Sequence, residues 1–268
     1  MIHARGLMRN ARQAAAGRIL LDLFCGVGHI TRQWRQAGWG VVSMDLSRDP
    51  AEDLTCRGVL QLIKAWMRSN LIGGVWLAPP CSTWSSARRG VPGSRGGPLR
   101  SRQHIWGLPC VEPAALPMLA VGNATARAAL QIISLCVRLR IPVAVENPTT
   151  SLLWQVPALL RLSRHHSCHR HVSDFCQYGT AWRKRTTVLS WYTDGEGLQR
   201  RCRSTKGFCD RTGLQHVRLT GSDKGGTLTR QAQPYPPSWA ADGAKMITRA
   251  IDIHDFNNLC RASGCLCK

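Results

Sequence analysis

The sequence predicts an open α/β fold: a mostly parallel sheet with helices on both faces. Three observations lead there. Short apolar runs recur at residues 18–24, 41–44, 75–78 and 143–145, and stretches of helical spacing or composition lie between them. Each run then ends in a turn or a reactive group: Cys25-Gly26, Asp45, Pro79-Pro80-Cys81 and Glu146-Asn147. In open α/β sheets that carboxyl edge is where ligands bind.

In chain order, Arg18 to Phe24 reads as a buried strand, broken by Cys25-Gly26-Val27-Gly28 before a helix beginning near Ile30. Val41 to Met44 is a second strand, closed by Asp45 and a loop marked by Pro50. Val59, Leu62, Ile63 and Trp66 share one helical face. Gly73-Gly74 then introduces the strand Val75 to Ala78. Residues 88–117 carry Gly, Pro and five arginines (88, 89, 95, 100, 102) against one acid, Glu112, and read as a long mobile loop. Ala124 to Leu139 is helical in composition, and Pro142 precedes the strand Val143 to Val145. A helical stretch at 152–162, a His-rich segment, a strand at 187–191 and a closing helix at 239–254 complete the order.

The 268 residues suffice for one full α/β domain and a small appended region, here the polar, basic segment 192–234. The division expected is a basic extension 1–17, a catalytic domain 18–191, a recognition insert 192–234, a closing helix 235–258 and a tail 259–268. Lys and Arg number 36 against 15 Asp and Glu, a formal charge of +21 that points to a polyanionic partner. No membrane span is expected. Twelve scattered cysteines in a chain with ample apolar residues read as reduced thiols of an intracellular protein.

Glycines 26 and 28 let backbone approach a ligand, and Asp45, at the next strand end, can accept hydrogen bonds from two ribose hydroxyls. The same turn could equally be structural. Cys81 is a soft nucleophile at a strand end, suited to adding to a pyrimidine and leaving again. Glu146, on what should be the same edge, can hydrogen-bond a pyrimidine ring nitrogen.

The ordered set Asp22-Leu23-Phe24-Cys25-Gly26-Val27-Gly28, Pro79-Pro80-Cys81 with Ser85 following, Glu146-Asn147, and Tyr178-Gly179 before a basic run resembles the cytosine-C5 DNA methyltransferases, over residues 18 to 190. The resemblance implies a Rossmann-like, S-adenosylmethionine-dependent methyltransferase fold. It also implies that Phe24, Cys25, Gly26, Val27 and Gly28 line the cofactor site, with Asp45 on the ribose, Leu46 against the adenine, Asp53 at its amino group and Pro80 at the methyl-donor side. Cys81 would be the nucleophile and Glu146 its ring-nitrogen partner, while Ser85, Arg88 and Arg89 would meet nucleic acid in a loop closing over a flipped base.

The chain departs from the family where a Gln-x-Arg-x-Arg segment should follow Tyr178-Gly179 and the sequence reads Thr180-Ala181-Trp182-Arg183-Lys184-Arg185-Thr186. Counting from Tyr-Gly puts Lys184 and Thr186 in the arginine places, and a shift of one puts Arg183 and Arg185 there. Lys184 and Arg185 are therefore the catalytic cations expected, with Arg183 on nucleic acid. Pro148 and Ser82 stand where Val and Gln are common, and the late Gly-Asn-Ser segment is missing. DNA is the expected substrate. One branch of the family acts on transfer RNA, which makes RNA the alternative, and a non-catalytic nucleic-acid-binding protein on the same fold is a third reading. Cys202, Cys209 and His216 recur at six-residue gaps, but no Cys-x-x-Cys pair accompanies them, and no metal is assigned.

Overall fold

The computed structural model describes residues 18–262 apart from 86, 87, 89, 194–196, 205, 224 and 225, with side chains in the final helix described as far as 251. The basic extension 1–17 and Arg89 thus lie outside the described residues.

Six strands form one sheet: β1 (Ile19–Leu23), β2 (Val41–Met44), β3 (Ile72–Leu77), β4 (Val143–Pro148), β5 (Cys168–Asp174) and β6 (Arg185–Trp191). Their spatial order is β2-β1-β3-β4-β6-β5. The first four run parallel, and only β6 is reversed, pairing antiparallel with both β4 and β5. This is the open, largely parallel sheet that the sequence predicts.

Helices cover both faces, which explains why all five residues of β1 are buried. Alternation along the strands sorts them into two cores. Leu21, Leu23, Val75, Leu77, Val143 and Val145 pack with Ile63 and Trp66 of α2 (Arg57–Arg68) and Ile132 and Ile133 of α3 (Leu116–Leu139). Leu20, Trp76, Ala144 and Val188 pack with Ile30 and Trp34 of α1 (His29–Gln36) and Trp239 and Ile247 of the last helix. Gly74 is needed here, because a Cβ on it would lie 2.4 Å from Cγ2 of Ile247.

Several boundaries differ from expectation. Gly73 and Gly74 lie inside β3, and α3 begins at Leu116, with Pro117 in its first turn where a missing N–H costs nothing. The 152–162 stretch divides at Pro157 into a 3-10 turn and the short helix α4 (Pro157–Leu162). The His-rich segment is strand β5, with His171 buried against the hydroxyl of Ser190. Residues 113–139 are long and apolar enough to cross a membrane by length and composition, contrary to the sequence reading, but Ala126, Ala129, Ile132 and Cys136 of that stretch lie in the larger core. After β6 come a two-stranded ribbon, β7 (Ser222–Asp223) and β8 (Gly226–Thr227), a single helical turn α5 (Leu228–Gln231), and α6 (Pro237–Ala262), which continues past the predicted end.

The loop 88–112 is packed rather than mobile. Its anchor is Arg100, 3% exposed, whose guanidinium stacks 3.6 Å over the ring of Trp84 and donates to the Thr83 carbonyl and hydroxyl, the Ile105 carbonyl and Asn123 Oδ1. Leu99, Ala115 and Leu119 form a small core beside it. With no carboxylate in this set, burial alone pulls the Arg100 guanidinium down to about 10.

Candidate active site at the sheet switch point

The chain leaves β1 for β2 on one side and returns for β3 on the other, so the carboxyl ends of β1 and β3 flank the topological switch point. Leu23 pairs with Met44 and Leu77, and Leu77 with Val145. These registers bring Phe24, Asp45, Ala78 and Glu146 to one edge.

At the β1 end, Phe24, Gly26 and Gly28 all adopt positive φ (57°, 53° and 71°). For glycine this is free. For Phe24 it stores strain of order 1 kcal/mol, the kind found where a turn is held for function. The Gly26 N–H donates to Asp45 Oδ2 (2.8 Å), while Ser47 caps Oδ1 through both N–H (2.9 Å) and Oγ (2.5 Å). Asp45 is therefore oriented at the turn, with lone pairs left on each oxygen. Space is open where a Gly26 side chain would stand, and two apolar side chains beside it are exposed, Val27 at 61% and Leu46 at 49%. Open backbone, a fixed carboxylate and two uncovered apolar groups suit a nucleoside with its adenine and ribose. Cys25 faces Arg48 (Nη1 to Sγ 3.1 Å), but burial, reinforced by the charge of Asp22, pushes its thiol up to about 12. Asp53 accepts from Thr55 N–H (2.8 Å) and Oγ1 (2.7 Å) and shapes the entry to α2.

At the β3 end the chain turns through buried Pro79 and exposed Pro80 to half-buried Cys81. Asn147 Nδ2 donates to the Pro79 carbonyl (2.8 Å) and clamps this turn to β4, while Asn147 Oδ1 is buried without a hydrogen-bond partner among the described residues. Glu146, 6% exposed, accepts from Thr186 Oγ1 (2.6 Å) and from the Tyr235 hydroxyl (2.9 Å). Burial pushes the Cys81 thiol up. The Lys184 ammonium pulls it down, and the Glu146 carboxylate adds to the upward push, so all three groups share one electrostatic neighbourhood.

Strand alternation settles the basic run. Lys184, on the Cys81 side, lies 4.9 Å over the ring of Phe175. Arg185 points away: its Nε and Nη2 grip Asp174 in a bidentate pair (2.8 and 2.7 Å). Arg183 approaches Asp174 (3.4 Å) and donates to the carbonyls of Ser204 and Cys202. The count from Tyr-Gly is thus the register the fold uses, with Lys184 and Thr186 inward. In this structure Arg185, expected as a catalytic cation, pairs with Asp174, and Arg183, expected on nucleic acid, holds Asp174 and the backbone of the insert.

Arg88, also expected on nucleic acid, has its donors on the carbonyls of Gly97, Ser82 and Arg95 and folds the loop on itself. Ser85 closes the turn after Cys81 through its N–H to the Cys81 carbonyl (2.9 Å).

Sequence reasoning missed two contributors. Thr186 entered only as the replacement for an arginine, and Tyr235 was given no role, yet both hold Glu146. Tyr235 also receives Trp76 Nε1 (3.4 Å), and its carbonyl accepts from His29 Nδ1 (2.5 Å), directly after the glycine turn. The segment expected to lack the family's late motif therefore reaches all three strand ends. No local signal marks such a contact.

Elsewhere, Cys176, Cys202, Cys209 and His216, of which the sequence had singled out the last three without assigning a metal, bring their ligand atoms within 4.8 Å of one another. A cavity of about 270 Å³ between α2 and α3, lined by Lys64, Arg68 and Gln131, and one of about 160 Å³ beside α4, lined by Trp154, Cys168 and Leu189, contain none of the strand-end groups. The strand-end groups gather on the open carboxyl edge instead.

No protein-family model matches the chain, and no curated protein matches it. Among solved structures, it is similar to the methyltransferase EhMeth of Entamoeba histolytica (8% identity, TM-score 0.37, 76% of this chain and 58% of the other). It is also similar to a triple mutant of DNMT2 from Spodoptera frugiperda (12%, 0.34, 76% and 56%). A third is the Dnmt2 methyltransferase of S. pombe (9%, 0.36, 65% and 49%). The chain thus spans about half the length of these structures. The fold assignment rests on strand order and the two packed faces, and any assignment of chemistry rests on the strand-end groups.

Proposed function

We propose that the protein transfers a methyl group from S-adenosylmethionine to C5 of cytosine in a polynucleotide, with Cys81 as nucleophile. One observation carries this reading: at the carboxyl edge of the sheet, the Lys184 ammonium and the Glu146 carboxylate lie near enough to act on the Cys81 thiol, on the same edge as a glycine turn with open space.

S-adenosylmethionine, when bound, supplies an electrophilic methyl on a sulfonium. Gly26 and Gly28 would admit it closely, Asp45 would hold the ribose, and Val27 and Leu46 would cover the adenine. The Cys81 thiol must lose its proton before it adds to C6, and Lys184 favours that loss. Glu146, held by Thr186 and Tyr235, hydrogen-bonds the ring-nitrogen edge and draws electron density from C6 as sulfur bonds to it. C5 of the adduct would be the methyl acceptor, and loss of its proton to solvent with departure of Cys81 as thiolate would restore the ring.

The formal charge of +21 supports a nucleic-acid substrate. Duplex DNA, expected from the sequence, and RNA, the alternative, both suit that charge, and the test below discriminates between them. The experiment is covalent trapping on 5-fluorocytosine in duplex DNA and in transfer RNA side by side, with S-adenosylmethionine present. A denaturation-resistant adduct that vanishes in Cys81→Ala supports the proposal, and the substrate that traps names the branch. Salt-sensitive nucleic-acid binding with neither adduct nor cofactor heat in calorimetry would establish a binding protein instead.

A further inference from the structure

Beyond Leu198, which is buried in the second core, the segment after β6 has little apolar packing to hold it. Among its described residues up to 221 the only backbone ladder is a single bridge, Phe208 to Gln215, and Phe208, Leu214 and Val217 are exposed. Yet Cys202 is 2% and Cys209 4% exposed, and both are buried against Cys176 in a small cluster of their own. Cys176 comes from the 3-10 turn (Phe175–Tyr178) that follows β5, 26 positions before Cys202. His216 closes the group, with Nε2 3.7 Å from the Cys202 sulfur.

We infer that Cys176, Cys202, Cys209 and His216 form a closed, structural zinc site that fastens this segment to the sheet. The donor set is soft and contains no carboxylate, which selects zinc over magnesium or calcium. Four protein ligands leave no position for water, which marks the site as structural. Zinc–sulfur and zinc–nitrogen bonds of about 2.3 and 2.0 Å place tetrahedral neighbours about 3.5–3.8 Å apart. The Cys202–His216 separation already has that value, and all four ligand atoms fall within 4.8 Å. The three thiols remain free, with no disulfide among them.

The surroundings suit a site of net charge −1, which three thiolates, a neutral imidazole and Zn²⁺ would make. Arg185 sits close enough to feel Cys202 and Cys176, and Asp174, which holds Arg185, also accepts the Cys202 N–H (2.9 Å). Gln177 Nε2 approaches the sulfurs of Cys176 (3.9 Å) and Cys209 (3.8 Å), as an outer hydrogen-bond donor would. A tight turn presents two of the ligands: Cys209 N–H bonds to the Leu214 carbonyl (2.7 Å), and His216 N–H to that of Gly207 (2.8 Å). Binding exchanges three thiol protons for the metal.

Arg183 binds the Cys202 and Ser204 carbonyls, and the Phe175 N–H binds that of Lys184 (3.1 Å). The metal would therefore position the turn that carries Lys184, acting through backbone and not on substrate.

The test uses the full chain, purified reduced, without a His tag or chelator. Elemental analysis should find about one zinc per chain. Cobalt(II) replacement should give thiolate-to-metal charge transfer and the intense visible bands of a tetrahedral site. Cys209→Ser and Cys176→Ser should lose the zinc, whereas Cys110→Ser, outside the cluster, should keep it. Should the cluster variants fail to fold, the wild-type protein still decides: chelation should expose 197–221 to protease, and added zinc should restore protection. Wild-type protein lacking zinc and giving no tetrahedral cobalt spectrum would overturn the assignment, as would a disulfide within the cluster or full zinc content in Cys209→Ser. None of these readouts depends on methyl transfer, so failure here is distinct from failure of the proposed function.

Discussion

Replacing Tyr235 with Phe isolates one hydroxyl. The ring keeps its contacts with Trp76, Phe175 and Trp239 at centroid distances of 6.2, 6.3 and 4.5 Å, so packing is conserved. What is lost is the 2.9 Å bond to Glu146 and the weak 3.4 Å bond from Trp76. A hydrogen bond to a carboxylate is worth about 1.5–3 kcal/mol, and partial exposure of the phenol places this one near the lower end. Thr186, at 2.6 Å, remains as the second anchor. Tyr235→Phe should therefore unfold about 1.5–2 kcal/mol more easily in urea. If Glu146 acts on the base, kcat/KM for methyl transfer should also fall roughly tenfold, since about 1.4 kcal/mol of lost transition-state binding is a factor of ten. Because Tyr235 and Thr186 share one carboxylate, Tyr235→Phe and Thr186→Ala should be non-additive. Unchanged kcat/KM in a folded Tyr235→Phe protein would refute the reasoning, and lost stability with unchanged transfer would confine Glu146 to a structural role.

Four further outcomes are expected. Burial outweighs the Thr31 hydrogen bonds and pushes the Asp22 carboxyl up to about 6, so its contribution is fully present below the unfolded value near 4 and is lost as pH rises through 6, and Asp22→Asn should be roughly 2–3 kcal/mol more stable than wild type at pH 7.5 and no different at pH 4, by thermal melting at both. Lys184→Met removes the one cation that lowers the Cys81 thiol, so iodoacetamide labelling of Cys81, mapped by mass spectrometry, should shift to higher pH. Burial alone would raise the Asp174 carboxyl, but the Arg185 pair, the Cys202 N–H and the Arg183 charge hold it below the ordinary range; its stabilisation is present above the unfolded value near 4 and lost as pH falls through the lower folded one. Asp174→Asn should accordingly cost about 2–3 kcal/mol at neutral pH, discounted for the half-exposed arginines, and an effect near zero would show the pair to be idle. Gly74→Val forces side-chain atoms into Ile247 and should cost about 1–3 kcal/mol or more in denaturant unfolding.

The sheet was legible because parallel strands covered on both faces read as short, mostly apolar runs, and the reactive residues stand where those runs stop. Leu20 to Leu23 and Val143 to Val145 are clear for that reason. β5 was not, because His169 and Arg170 are exposed polar residues on an edge strand, paired on one side only. The loop after Cys81 misled because composition counts arginines without their partners: Arg100 and Arg88 are spent on Trp84 and on carbonyls, a choice made by tertiary contacts. Lys184 and Arg185 are adjacent in sequence yet face opposite sides of the strand, and only the pairing of β6 with β4 fixes which side meets Cys81. Three members of the sulfur and imidazole group, Cys202, Cys209 and His216, stood out in the sequence, but the fourth, Cys176, escaped because it comes from the distant turn after β5, without the close spacing by which such sets are usually read.

Tyr235 lies after every strand of the main sheet, yet it joins the ends of β1, β3 and β4 through His29, Trp76 and Glu146. A ribosome would release all six strands before this residue emerges. The sheet can therefore assemble while Glu146 still lacks one of its two donors, and the site is finished only when α6 docks and draws the phenol into place. A nascent chain stalled short of that point would expose its apolar second face and leave Glu146 without the phenol, so completion of the strand-end group and burial of Trp76 should occur as a single late event.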